Sequence, residues 1–165
     1  MLFRGPESRT AAWRSAADRI DCALPKGPHV SDHVFFYGTL MTPFNRPGRQ
    51  RVDTKMAFAG RGHISAALYD LGIYPAAVPT SDGSVVWGEL YELHDPTAVL
   101  AALDEIEGYR SNEPERSLYT RVLTDVTLDD GRQAPAWAYF YNAPLGRAQR
   151  IASGDYLEHL NVKSS

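Results

Sequence analysis

Among the acidic side chains of this chain, Glu107 sits where a carboxylate is hardest to keep ionised. The segment Leu103-Asp104-Glu105-Ile106-Glu107-Gly108 closes a helix that begins at Asp95-Pro96, a capping residue followed by proline at the first helical position. Gly108 stops it. With each residue turning about 100°, Val99, Leu100, Leu103 and Ile106 form one apolar stripe, and Glu107 lies at its edge, one turn beyond Leu103. Glu105 points to the opposite side and Asp104 flanks the stripe. Desolvation raises the pKa of such a carboxyl group, and the partial negative charge of the helix C-terminus pushes the same way. A carboxylate tuned toward neutrality suits a general base or acid. The competing expectation is that Glu107 turns out to solvent or pairs with an arginine such as Arg121.

Two other clusters bear on chemistry. Tyr37-Gly38-Thr39-Leu40 ends an apolar run, Val34-Phe35-Phe36-Tyr37. A strand ending in glycine lets the backbone approach a ligand, and successive N–H groups in such a turn can hold a carboxylate. A plain strand-terminal turn explains the same residues. In Leu118-Tyr119-Thr120-Arg121, strand period places Tyr119 and Arg121 on one face, where they could orient a polar substrate or hold Glu107. Sheet packing for Tyr119 and a surface ion pair for Arg121 explain them equally well. Tyr139 and Tyr141 share a face for the same reason.

Other chemistries find little support. The chain has no Gly-x-Ser-x-Gly elbow and no glycine-rich phosphate loop. Its five histidines lack metal-ligand spacing, so we expect neither metal nor cofactor. The net charge of −3 gives no electrostatic case for nucleic acid or an anionic membrane. Arg46, Arg49 and Arg51 form the one local basic cluster, which we read as a solvated loop. The single cysteine, Cys22, excludes an intrachain disulfide and fits a reducing cytoplasm. No apolar run approaches the length of a membrane span, and the N-terminus lacks a secretory h-region.

The elements that must position these residues divide the chain at residue 30. Residues 1–30 read as an N-terminal extension, with a short amphipathic helix over Glu7–Ile20 and a Leu24-Pro25-Lys26-Gly27-Pro28 linker. Residues 31–165 read as one domain. Strands are expected at Val34–Tyr37, Gly62–Tyr69, Ala76–Val78, Val85–Leu93, Leu118–Leu128 and Ala134–Tyr141, the last two joined as a hairpin across Asp129-Asp130-Gly131. Met41–Lys55 reads as an irregular region, either a loop near a site or a short helix without a definite place, and the tail after Ser153-Gly154-Asp155-Tyr156 as a turn and a short polar end. Strands surrounding one well-marked helix imply an α+β domain on a mixed, strongly curled sheet.

Taken in order, Tyr37-Gly38-Thr39-Leu40, Leu68-Tyr69-Asp70-Leu71-Gly72-Ile73-Tyr74-Pro75-Ala76, Trp87-Gly88-Glu89-Leu90-Tyr91, Leu103–Gly108 and Tyr119-Thr120-Arg121 resemble the γ-glutamylcyclotransferase-like family, which includes γ-glutamylamine cyclotransferases and plant avirulence-induced proteins. The resemblance covers residues 33–142. It implies a small mixed β-barrel with flanking helices and a cavity whose carboxylate-binding wall is the Tyr37–Leu40 turn. It also implies a catalytic glutamate at Glu107, the residue the stripe geometry singles out. The implied substrate is a small γ-glutamyl compound. Its α-amine attacks its own γ-carbonyl, giving 5-oxoproline and a free amine or amino acid without a cofactor. Tyr37, Gly38, Thr39, Leu40, Tyr119 and Arg121 are the candidate substrate contacts. A non-catalytic binding module and a Glu-assisted amide hydrolase remain as rivals.

Overall fold

Glycines at the seams let a single sheet in this protein curl until it meets itself. The computed structural model describes residues 31–165 apart from Asn45. The expected helix over 7–20, the linker after it and Cys22 lie outside the described residues. Among the described residues seven strands occur in the order β1 (His33–Phe36), β2 (Met56–Asp70), β3 (Pro75–Pro79), β4 (Val85–Leu93), β5 (Tyr119–Leu128), β6 (Gln133–Tyr141) and β7 (Gln149–Arg150). The sheet runs β3-β2-β4-β1-β6-β5, and β5 returns to β2 to close a barrel of β2, β4, β1, β6 and β5. Among the described residues only β1 and β6 pair in parallel, at Val34 and Trp137, which makes the barrel mixed.

Closure depends on backbone contact that a side chain would block. At the β2–β5 seam Gly62 faces Leu128, and a Cβ on Gly62 would lie 2.5 Å from the Thr127 carbonyl oxygen. A Cβ on Gly88 of β4 would stand 2.1 Å from the Phe36 carbonyl oxygen, where β4 pairs with β1. The long β2 serves two partners: its first part pairs with β4, and its last five residues pair with β3. Val34, Phe35, Ile64, Leu68, Val86, Leu90 and Val126 fill the interior, each with at most 1% of its surface exposed. Burial of such side chains contributes about 1.5–3 kcal/mol apiece.

Among the described residues three α-helices flank the barrel: α1 (Pro47–Gln50), α2 (Pro96–Glu107) and α3 (Tyr156–Lys163). In α2 the Asp95 side chain accepts the Ala98 N–H, and Gly108 ends the helix in the left-handed region at φ 67°. Val99, Leu100 and Leu103 bury its apolar stripe, as its periodicity predicts.

Two expectations need correction. The tail is a helix, capped by the Asp155 carboxylate accepting the Glu158 N–H and fastened to β2 by His159 Nε2 and Lys163 Nζ on Asp70 at 2.8 and 3.0 Å. Met41–Lys55 follows the short-helix alternative, as a chain of helical turns, Thr42–Phe44, α1 and Asp53–Lys55. Its arginines are not a uniformly solvated cluster. Arg51 is exposed and paired with Glu105, but Arg49 is only 6% exposed. No helix among the described residues is long and apolar enough to cross a membrane.

Candidate active site

A cavity of about 560 Å³ opens beside the end of β1, bounded by α1, the start of β3, the last turn of α2 and the start of β5. It gathers Tyr37, Gly38, Thr39, Leu40, Glu107 and Tyr119, which are spread over three separate segments of sequence. Arg121 does not line it.

The floor is the turn after β1. It closes through the Met41 N–H on the Gly38 carbonyl at 3.0 Å. The N–H groups of Gly38, Thr39 and Leu40 find no acceptor among the described residues, so three donors remain available to a ligand. Gly38 is required by a close approach, because a Cβ there would lie 2.8 Å from Pro75 Cγ. A buried clasp holds the turn from behind. Arg49 Nη1 donates to the Leu40 carbonyl at 2.7 Å, while its Nε donates to Asp53 Oδ1 at 2.7 Å. The guanidinium also stacks over Tyr91, 4.4 Å from the ring centre. Glu89 fixes the next residue, its Oε1 accepting from the Thr42 N–H at 2.8 Å and from the Tyr91 hydroxyl at 3.0 Å. The Trp87–Tyr91 motif therefore acts on the site from beneath.

The walls are aromatic, and the hydroxyls of Tyr37 and Tyr119 are committed to backbone. Tyr37 donates to the Tyr139 carbonyl at 2.6 Å and accepts from the Ala77 N–H at 3.3 Å. Tyr119 donates to the Pro75 carbonyl at 2.9 Å. Burial raises the pKa of both phenols, and the Glu107 charge adds to the effect. They stay neutral donors that brace β1, β3 and β6 against one another.

Glu107 projects into this space from the end of α2. Its carboxyl pKa is pushed up to about 7 by desolvation. Among the described residues no hydrogen-bond donor or cation engages it. The arginine expected to neutralise it is taken by Asp104, three residues earlier in the same helix. Arg121 Nη1 reaches Asp104 Oδ1 and Oδ2 at 3.0 and 2.9 Å, and the Tyr139 hydroxyl donates to Oδ1 at 2.7 Å. Arg121 also stacks on Trp137, 5.0 Å from the ring centre. Its expected face-sharing with Tyr119 thus ends at the helix, outside the cavity.

Sequence reasoning missed Arg49, whose i,i+4 spacing to Asp53 was the available signal. It also missed Arg46 and Ile73, which line the cavity but sit in segments without periodicity. No group of His, Cys, Asp and Glu among the described residues is arranged to hold a metal ion.

A closed five-stranded mixed barrel with a desolvated carboxylate facing a strand-terminal nest defines a class of small barrel proteins with one polar-ended cavity. The family comparison makes this specific. Residues 34–158 match the model of "Gamma-glutamyl cyclotransferase, AIG2-like", and the chain belongs to that family. A relative from Halalkalibacterium halodurans, provisionally named a gamma-glutamylcyclotransferase, is 38% identical over 106 residues, covering 64% of this chain and 90% of the relative. The gamma-glutamylcyclotransferase family protein YtfP of Escherichia coli is 31% identical over 126 residues, covering 76% of this chain and 96% of that protein. Its solution structure superposes with a TM-score of 0.55 at 30% identity, covering 77% of this chain and 97% of that one. The crystal structure of an AIG2-like mouse protein shares the fold with a TM-score of 0.56 at 22% identity, covering 78% of this chain and 89% of that one.

Proposed function

We propose that this protein is a γ-glutamylcyclotransferase in which Glu107 is the catalytic general base and acid. The substrate α-carboxylate rests on the N–H groups of Gly38, Thr39 and Leu40, the guest that such a nest accepts. This anchoring folds the γ-glutamyl chain so that its α-nitrogen meets its own γ-carbonyl carbon, a gain of proximity rather than of chemistry. The α-nitrogen is an ammonium ion at neutral pH and must lose a proton before it attacks. Glu107 takes that proton. The C–N bond of the five-membered ring forms, the γ-carbonyl becomes tetrahedral, and Glu107 returns the proton to the departing nitrogen as the old amide bond breaks. The ring nitrogen then gives up its remaining surplus proton through Glu107 to the departed amine, so the products are 5-oxoproline and the amine as its ammonium ion, with no co-reactant required.

One observation carries the reading: a carboxylate whose pKa lies at about 7 stands unpaired in the same cavity as three unused N–H donors. A base with that pKa is matched to proton transfer near neutrality. The test is incubation of the purified protein with γ-glutamyl dipeptides and γ-glutamyl amines, followed by product analysis. 5-Oxoproline supports cyclotransfer. Free glutamate instead would indicate hydrolysis through water, and neither product would indicate a binding module.

A further inference from the structure

Two charged side chains line the cavity, Glu107 and Arg46, and they do not pair with each other. Arg46 makes no ion pair with any described carboxylate, although its neighbours Arg49 and Arg51 are both paired. It caps the N-terminus of α1 with extended backbone at φ −72° and ψ 147°, and its side chain stays exposed. The cavity lining grades from buried to open. Phe35, Phe36, Tyr37, Leu40 and Tyr119 are each at most 6% exposed and mark the deep end. Arg46 and Pro47 are exposed, as are Ile73 at 73% and Leu118 at 40%. These mark the mouth. The mouth is thus an apolar rim carrying one unneutralised cation.

Building on the proposed cyclotransferase activity, we infer that Arg46 reads a carboxylate on the leaving group, so that the released amine is an α-amino acid with an apolar side chain. The γ-glutamyl half is anchored at the deep end by its own α-carboxylate. The leaving nitrogen and whatever it bears then point to the mouth. A carboxylate there meets the Arg46 guanidinium, which suits it geometrically as a forked donor. An apolar side chain there covers Ile73 and Leu118, removing apolar surface from water. A leaving amine bearing a second ammonium group instead faces Arg46 as a like charge.

The experiment compares γ-glutamyl-leucine, its C-terminal amide and a γ-glutamyl diamine as substrates for the full chain and for Arg46→Ala and Arg46→Glu. The three compounds share the γ-glutamyl half and differ in the charge and shape of the leaving group. The native protein is expected to prefer the dipeptide over its amide by about fivefold in kcat/KM, expressed in KM, the worth of one half-exposed charge pair. Arg46→Ala brings that ratio to near one, and Arg46→Glu inverts it. A ratio unchanged by either substitution overturns the inference. So does an equal loss on all three compounds, which would mean that Arg46 holds the shared γ-glutamyl half. The same ligands titrated calorimetrically into Glu107→Gln separate the two readings. If no compound yields 5-oxoproline but the Arg46-dependent preference appears in binding, cyclotransfer fails and the role of Arg46 stands. If turnover occurs without the preference, the role of Arg46 fails and cyclotransfer stands.

Discussion

Asp104 and Glu107 lie within one turn of each other at the end of α2, are both partly buried, and have opposite surroundings. Burial raises the carboxyl pKa of both above the usual range. Asp104 recovers part of the loss through Tyr139 and Arg121, and becomes the bracket that ties α2 to β5 and β6. Glu107 recovers nothing and keeps its lone pairs open to the cavity. The helical offset between them decides the division of labour: one carboxylate faces the strands and the other faces empty space. Arg121, by engaging Asp104, leaves Glu107 without an ion pair among the described residues, the state that the proposed proton transfer requires.

The comparison breaks most visibly in turnover. Glu107→Gln keeps size and polarity but cannot accept a proton, and kcat/KM for 5-oxoproline formation is expected to fall about a thousandfold. Asp104→Asn should lower it far less. Equal losses measured under the same conditions would show that the two carboxylates act as one unit.

A second way to sharpen it is through pH. The folded-state pKa of Glu107, about 7, exceeds the unfolded value near about 4.3. The folded protein therefore holds a proton that the unfolded chain releases. This favours folding fully below the unfolded pKa, and the advantage is lost as pH rises through the folded one. Glu107→Gln is expected to gain on the order of 3 kcal/mol over the native protein between pH 4 and pH 8. Chemical denaturation of both proteins across that range checks the sign. A variant that loses ground at pH 8 would mean that Glu107 is a structural partner after all.

Removing Arg121 probes the other carboxylate. Its pair with Asp104 is about four-fifths buried, with side chains 21% and 22% exposed. Arg121→Met leaves Asp104 with only the Tyr139 donor, and a loss of about 2 kcal/mol is expected. The loss should shrink toward low pH, where Asp104 is neutral. Thermal melting at pH 4 and pH 7 measures both effects.

The smallest expected effect is at the floor. Gly38→Ala presses a methyl group on Pro75 and should cost about 1 kcal/mol of stability, with a larger proportional loss of affinity for a γ-glutamyl ligand. Unchanged affinity by titration would remove the Tyr37–Leu40 nest from the proposal.

Much of this site was legible in sequence because it is local. The stripe of Val99, Leu100 and Leu103, with caps at Asp95 and Gly108, placed Glu107 on a specific face without any tertiary information. The strands were legible for the same reason, since alternation and turn residues are short-range signals. What escaped depended on contacts between distant segments. Arg49 looks solvated in sequence and is buried because Leu40, Asp53 and Tyr91 converge on it. Arg121 could be assigned a face but not an owner: the sequence offers it Glu107 or a surface partner, and the docking of α2 gives it Asp104. Helix α3 was passed over because its apolar face is weak; Asp155 and Glu158, three residues apart, were the capping signal that marked it.

The narrow β2–β5 seam has a consequence for how the chain reaches this state. Among the described residues the seam pairs Gly62 with Leu128 and His63 with Thr127, with the Asp129 N–H on the Arg61 carbonyl beside them, and it joins segments separated by roughly half of the domain. The β5–β6 hairpin and the β2–β4 pair can form from nearer neighbours, whereas the seam must wait for a long loop to close, a step that slows folding. Wrapping should therefore come late, and the seam should be the first place to breathe open. Amide exchange at Asp129, whose N–H crosses the seam to the Arg61 carbonyl, faster than in the centre of β4 is the expected signature.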